Sequence, residues 1–211
     1  PKETKFINLS NKRIDKLTST LQQWETRLVQ VPVHNDPKNE KDYIQWEMKP
    51  TYAGLALRAQ DMMIMKIIND AGWRVPIYFA VTVSQQNRIG LDEYLDMQGL
   101  TFQLKSHKTK PVDSEKMYDN LMKKYSFEKI LHPTSTKMKN VQRLIHSYRS
   151  AYMQLAVTYY MDYKGIDKKN EGADEPRLIE LKNKIIQVLD RMEENIPANV
   201  IPIQSEDLHY Q

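Results

Sequence analysis

The stretch Pro76-Ile-Tyr-Phe-Ala-Val-Thr-Val83 constrains the fold more than any other part of this chain. It is apolar, rich in β-branched and aromatic residues, and far shorter than the roughly 20 residues a membrane-crossing helix needs. Such a run reads as a strand covered on both faces, with Pro76 at the first position, where its missing N–H is harmless. Before it, Tyr43-Ile-Gln-Trp-Glu-Met48 alternates as a strand does and Pro50 stops it, while Leu55 to Ala71 places Ala59, Met62, Met63, Ile67 and Ile68 on one broad apolar helical face. Gly72 suits the C-terminal cap of that helix. After the turn-forming Gln86-Asn-Arg-Ile-Gly90, Leu91 to Gln98 has the length of about two helical turns, and Leu100 to Leu104 alternates as a further strand. Gly90 and Gly99 fit turns with unusual backbone angles. The order strand, helix, strand, short helix, strand predicts a small, mostly parallel sheet with right-handed crossover helices.

Upstream, Ile14, Leu17, Leu21, Trp24 and Leu28 recur three and four residues apart, which predicts a helix from about Ser10 to Leu28. Val29, Val31 and Val33 then alternate as a short strand, and His34-Asn-Asp-Pro37 reads as a turn. Downstream, helices are expected over Ser114 to Tyr125, Thr136 to about Tyr163, and Pro176 to Asn195, the last with Leu178, Leu181, Ile185, Val188, Leu189 and Met192 on one stripe. Lys164 to Glu175 reads as an exposed connection, and Val200, Ile201 and Ile203 as a tail folding back on the body. The expected fold is a mixture of α+β and α/β. Residues 1–112 form an N-terminal helix plus a small α/β sheet domain, and residues 113–211 a helical part packed with the first as one unit.

Chemistry is bounded mainly by what the sequence lacks. With no cysteine there are no disulfides, no thiol nucleophile and no cysteine-ligated zinc or iron–sulfur cluster. The six glycines never form GxGxxG or GxxxxGK[ST], and there is no GxSxG elbow. His34, His107, His132, His146 and His209 lack the spacing that puts two imidazoles on one helical face, so neither metal nor cofactor is expected. Adjacent carboxylates such as Asp92/Glu93 and Glu193/Glu194 diverge on a helix and read as solvated faces. Ligands of open α/β sheets bind beyond the carboxyl ends of strands. Asn87 and Arg88, which follow the 77–83 strand, together with Asp61, are therefore the candidate lining of a polar crevice, with loop hydrogen bonding as the alternative role.

The formal charge is only +4, but Lys105 to Arg149 holds eleven Lys or Arg against four Asp or Glu. Such a stretch can attract anionic lipid headgroups. Tyr118, Tyr125, Tyr148 and Tyr152 are interleaved with it, at a helical spacing that more commonly marks a core than a base-stacking surface. No nucleic-acid-binding module accompanies them, so nucleic acid is not an expected partner.

One stretch carries a resemblance. Gln60-Asp-Met-Met-Ile-Met-Lys-Ile-Ile68, Trp73-Arg-Val-Pro-Ile-Tyr-Phe-Ala-Val-Thr-Val83, Asn87-Arg-Ile-Gly-Leu91, Tyr94-Leu95, Gly99-Leu100 and Met117-Tyr-Asp-Asn-Leu-Met122 together resemble the C-terminal soluble region of a bacterial family of integral-membrane proteins. An animal relative of that family is the endoplasmic-reticulum protein O-mannosyltransferase. Beyond Phe127, the helices Ser147 to Tyr163 and Pro176 to Pro197 look like a degenerate tetratricopeptide pair. The resemblance implies a membrane part of the GT-C glycosyltransferase kind, using a lipid-phosphate-linked sugar donor, with the catalytic acid in a loop of that part. No catalytic residue therefore transfers to this chain. The implied role is a non-catalytic, extracytoplasmic (periplasmic) domain that docks on its own transmembrane region and binds the acceptor protein, with anionic headgroups as a further partner. The alternative is a freestanding cytoplasmic helical-repeat adaptor.

Overall fold

The computed structural model describes residues 7–8, 21–33, 36, 38–39, 41–127, 139–167 and 175–203. Two compact units divide the chain: one comprises Pro1–Asp96 with Phe102–Pro111, the other Met97–Thr101 with Val112–Gln211.

In the first unit the strands are β1 (Ile7–Asn8), β2 (Leu21–Gln23), β3 (Arg27–Pro32), β4 (Tyr43–Met48) and β5 (Ala56–Arg58), followed by helix α1 (Ala59–Ala71) and strand β6 (Tyr78–Ala80). β3 and β4 pair antiparallel with Val29 opposite Trp46 and Val31 opposite Ile44. Those four side chains are buried, whereas Gln30 and Gln45 lie on the opposite face and hydrogen-bond to each other at 3.2 Å. The alternation in the sequence thus fixes the register, because a slip of one residue would turn every valine outward. β2 pairs antiparallel with β5, and two-residue β1 pairs parallel with β3. Trp24 closes the corner between them, buried, with its indole N–H donating to the Met48 carbonyl at 3.0 Å. From α1, Met62, Met65 and Ile68 face this core. Gly72 ends the helix in a left-handed conformation, φ +52°, as expected.

Several expectations are corrected. The expected mostly parallel sheet is replaced by small sheets in which the longest pairings are antiparallel. Residues 21–23 and 27–28 are strand instead of the end of a helix, because pairing with β5 and β4 outweighs a spacing of apolar residues that happens to suit a helix, and the rest of β3 is the short strand expected from Val29 and Val31. Residues 24–26 connect the two strands without helix, residues 10–20 of that predicted helix lie outside the described residues, and so do residues 34, 35 and 37 of the predicted turn. Only Tyr78–Ala80 of the Pro76–Val83 run is strand, and only Phe79 of the three is buried. β6 is an edge strand in a three-stranded sheet of order β6-β8-β7, and Tyr78 on its other face is half exposed. In α1 the buried face is narrower than predicted, with Met63 and Ile67 more than half exposed. Where two helical turns were expected after Gly90 there is one 3₁₀ turn, Asp92–Tyr94, which leads into β7 (Leu95–Met97). A tight connection returns the chain along β8 (Thr101–Leu104), with Gln98 N donating to the Thr101 carbonyl and Lys105 N to that of Tyr94.

The second unit is helical, with α2 (Ser114–Asp119), α3 (Lys139–Asp167) and α4 (Glu175–Asn195). Asp113 caps α2 by accepting from Lys116 N at 3.1 Å. The helix continues as one π-helical turn, Asn120–Lys124, closed by Tyr125 N donating to the Asn120 carbonyl at 2.9 Å. α3 and α4 run antiparallel, since Arg149 meets Ile196, Tyr152 meets Asn195, and Tyr159 meets Lys184. Their facing stripes bury Ile145, Tyr152, Leu155, Leu181 and Val188. The pair extends well beyond the roughly 34 residues of one tetratricopeptide repeat, so the likeness is limited to an antiparallel helical hairpin. α3 continues through Lys164 to Asp167, and the rest of the predicted connection, 168–174, lies outside the described residues. In the tail Ile201 is buried, but Val200 and Ile203 are half exposed.

Gly90 adopts φ +85°, and a Cβ there would lie 2.7 Å from the Glu47 carbonyl oxygen, whereas Gly54, at φ +70°, has open space around it. Gly90→Ala is expected to cost about 2–3 kcal/mol and Gly54→Ala about 1 kcal/mol, compared by urea denaturation of the two variants. Equal losses would mean that backbone angle alone matters at Gly90.

Candidate functional site

Asp61 lies in the first turn of α1 and is fully buried. Its Oδ2 accepts from the backbone N–H of Arg58 at 2.9 Å and from Arg58 Nε at 3.1 Å, its Oδ1 accepts from Nη2 at 3.2 Å, and the Thr51 hydroxyl donates to Oδ2. The backbone contact is one half of a capping box, and a carboxylate at this end of a helix is favoured by the helix dipole. Arg58 Nη2 also donates to Asn87 Oδ1 at 2.6 Å. Two of the three predicted crevice residues, Asp61 and Asn87, are therefore joined, and Arg58 is the residue that joins them. Sequence reasoning missed Arg58 because it started α1 at Leu55, four residues early, which hid the capping relation between Arg58 and Asp61.

Arg88 points elsewhere. Its Nη1 lies 3.4 Å from Asp92 Oδ1, its guanidinium stacks 4.6 Å from the centre of the Phe102 ring, and its buried Nε has no hydrogen-bond partner. Between Arg88 and Gly90, buried Ile89 takes φ +51°, a conformation that a β-branched residue adopts only under strain. Asn87, Arg88 and the buried Ile89 side chain hold this turn from three directions. Arg58→Ala strands the Asp61 charge and is expected to cost about 3 kcal/mol, and Asn87→Ala about 1–2 kcal/mol, both read from chemical denaturation.

A second polar cluster had no counterpart in the sequence reading. Asp36 Oδ2 accepts from the Ser106 hydroxyl and lies 3.1 Å from His107 Nδ1, while Oδ1 accepts from Lys38 N at 2.9 Å. Asn39 Nδ2 donates to the carbonyls of Ser106 and Tyr43. Serine, histidine and aspartate meet here, but the carboxylate is the central member. The hydroxyl and the imidazole each meet the carboxylate, and among the described residues no hydrogen bond joins the two, so the imidazole is not set to take up the hydroxyl proton as a nucleophile's base must. The cluster instead ties Asp36 and Asn39 to the segment after β8, across about seventy positions of sequence that no local pattern spans.

The Ser106 hydroxyl, the Lys38 amide and His107 together hold the Asp36 carboxyl down at about 2. A depressed carboxylate stabilises the fold fully above its unfolded value near 4, and that contribution disappears as pH falls toward 2. Melting temperature should thus fall more steeply between pH 4 and 2 in the parent chain than in Asp36→Asn, and parallel curves would exclude this role.

Among the described residues, five of the eleven basic side chains of this stretch pair with carboxylates within their own units. Lys105 pairs with Asp96 at 3.3 Å and Lys108 with Glu93 at 2.5 Å, acids that a count over residues 105–149 leaves out. Lys116 pairs with Asp113, and Lys123 and Lys124 with Asp119, whose carboxyl they hold below its usual range. Arg149 is buried and donates to the carbonyls of Ile196, Ile201 and Pro202. The interleaved tyrosines form an aromatic core. Tyr125 and Phe127 meet Tyr148 edge-on at 5.7 and 5.0 Å, and the Tyr152 hydroxyl donates to the Leu121 carbonyl at 2.8 Å. Among the described residues no group of three metal-ligating side chains converges, and no helix is long and apolar enough to cross a membrane.

Residues 20–124 match the family model described as TMEM260-associated domain 2. The match links this chain to the TMEM260 family of O-mannosyltransferase-like membrane proteins. It covers β2 through the π-helical turn, and so includes the Arg58 and Asp36 clusters and the strained turn at Ile89. No curated protein and no solved structure matches the chain significantly.

Proposed function

We propose that this chain is a non-catalytic domain of a TMEM260-like membrane protein, placed outside the cytoplasm. It docks on the transmembrane part and holds the acceptor protein while that part, of the GT-C kind, transfers the sugar. The match of residues 20–124 to a TMEM260-associated domain carries this reading. Two observations agree with it. The polar side chains of the Arg58 and Asp36 clusters bond to one another and to the backbone, as in a scaffold. The helical hairpin leaves Tyr160, Met161, Ile179 and Ile186 about half exposed or more, which provides apolar area for a protein partner. Anionic headgroups receive less support, because five of the eleven basic side chains are already paired with carboxylates.

The purified chain, incubated with a lipid-phosphate-linked mannose donor and a protein acceptor, should transfer no sugar. The full-length membrane protein lacking this segment should still bind donor but lose most transfer to the acceptor. Transfer by the isolated chain would overturn the proposal. A coding frame with no apolar spans beside this segment would leave a freestanding helical adaptor in its place.

A further inference from the structure

The helical unit contains a cleft of about 210 Å³ between the start of α2 and the facing stretches of α3 and α4. That is below the roughly 300–1,000 Å³ of sites that enclose a cofactor or drug-sized ligand, and its size suits a single side chain. Its floor is Tyr159, almost fully buried, whose hydroxyl donates to the Ser114 carbonyl at 3.3 Å. Around it stand three carboxylates, Glu115, Asp162 and Glu180, and two cations, Arg177 and Lys184. One cation is committed to one of the acids: Lys184 Nζ lies 2.6 Å from Glu180 and holds its carboxyl below the usual range, with a smaller contribution from Arg177. Neither Glu115 nor Asp162 forms an ion pair among the described residues, and three carboxylates against two cations leave the cleft with a net negative charge.

The Tyr159 hydroxyl is shifted by its burial first and then by groups that include all three carboxylates of the cleft: Tyr118, Glu115, Asp162 and Glu180 help push its pKa up to about 12. A ligand suited to this cleft has an unbranched apolar stem, to lie along Tyr159 and Leu181, and a cationic end to meet Glu115 and Asp162.

We propose that this cleft receives a lysine or arginine side chain presented by a partner polypeptide. The proposal rests on the reading of the chain as an acceptor-holding domain and names the chemistry by which the helical unit would grip that acceptor.

The test uses the full chain, isotope-labelled, titrated with the capped tripeptide Gly-Lys-Gly and followed by amide chemical shifts. Saturable shifts are expected at residues 115, 159, 162 and 180–184 with an affinity of about 1 mM, and Glu115→Gln/Asp162→Asn should weaken it about three- to tenfold. The peptide with norleucine in place of lysine should bind several-fold more weakly. The proposal is overturned if the glutamate peptide binds as well as the lysine peptide, if the double variant binds like the parent, or if shifts fall elsewhere. Both substituted residues are exposed, and unchanged shifts outside the cleft will confirm that the variant is folded. Capture of the acceptor protein by the double variant as strong as by the parent would remove the cleft while leaving the docking role intact. Failure of the parent to capture acceptor would instead remove the docking role.

Discussion

A carboxylate shut away from water must have its charge answered by the protein around it, and the β-rich unit is arranged about one such group. Asp61 draws its donors from two places in the sequence, the Thr51 hydroxyl and the backbone and guanidinium of Arg58, and that guanidinium in turn donates to Asn87. These contacts fix where α1 starts, hold the chain between β4 and β5, and anchor the turn after residue 84. Loss of the guanidinium would leave a buried negative charge with two neutral donors, and the desolvation cost of an unpaired ion exceeds that of most other single defects in a fold of this size.

Patterns confined to a few neighbouring residues were legible in the sequence. The valines of β3, the Tyr43–Met48 alternation, the Gly72 cap and the stripe along α4 all follow from which side chains must face a core. What was not legible depends on partners distant in sequence. Leu21, Trp24 and Leu28 fit a helical spacing, yet the backbone groups around them find antiparallel partners in β5 and β4. The Pro76–Val83 run looks like a buried central strand, but no sequence pattern states that the sheet places it at an edge. At the candidate site Asp61 and Asn87 were identified as polar residues near one another. The arginine between them, and the departure of Arg88 toward Phe102, required the actual path of the turn.

The helical unit relies on a different buried ion. The last carbonyls of a helix lack amide partners within it, and the Arg149 guanidinium from α3 donates to the Ile196, Ile201 and Pro202 carbonyls at and beyond the end of α4. One side chain thereby ties the end of α4 and the tail to the middle of α3, and Ile201 is buried beside it. A basic residue counted in the sequence as surface charge is in fact an internal fastening, which is why charge totals along a chain overstate the field outside the fold.

The π-helical turn at Asn120–Lys124 is one residue longer than an α-turn would be, and the Tyr152 hydroxyl accompanies it by donating to the Leu121 carbonyl. Wound in the ordinary α manner, the same residues would carry everything that follows round by about 100°. Tyr125 and Phe127, now lodged among the rings of Tyr148 and Tyr152, would swing away from them. The aromatic interior therefore depends on how this turn is wound as much as on residue identity, and a lineage that dropped the extra residue would keep that interior only by returning to ordinary winding.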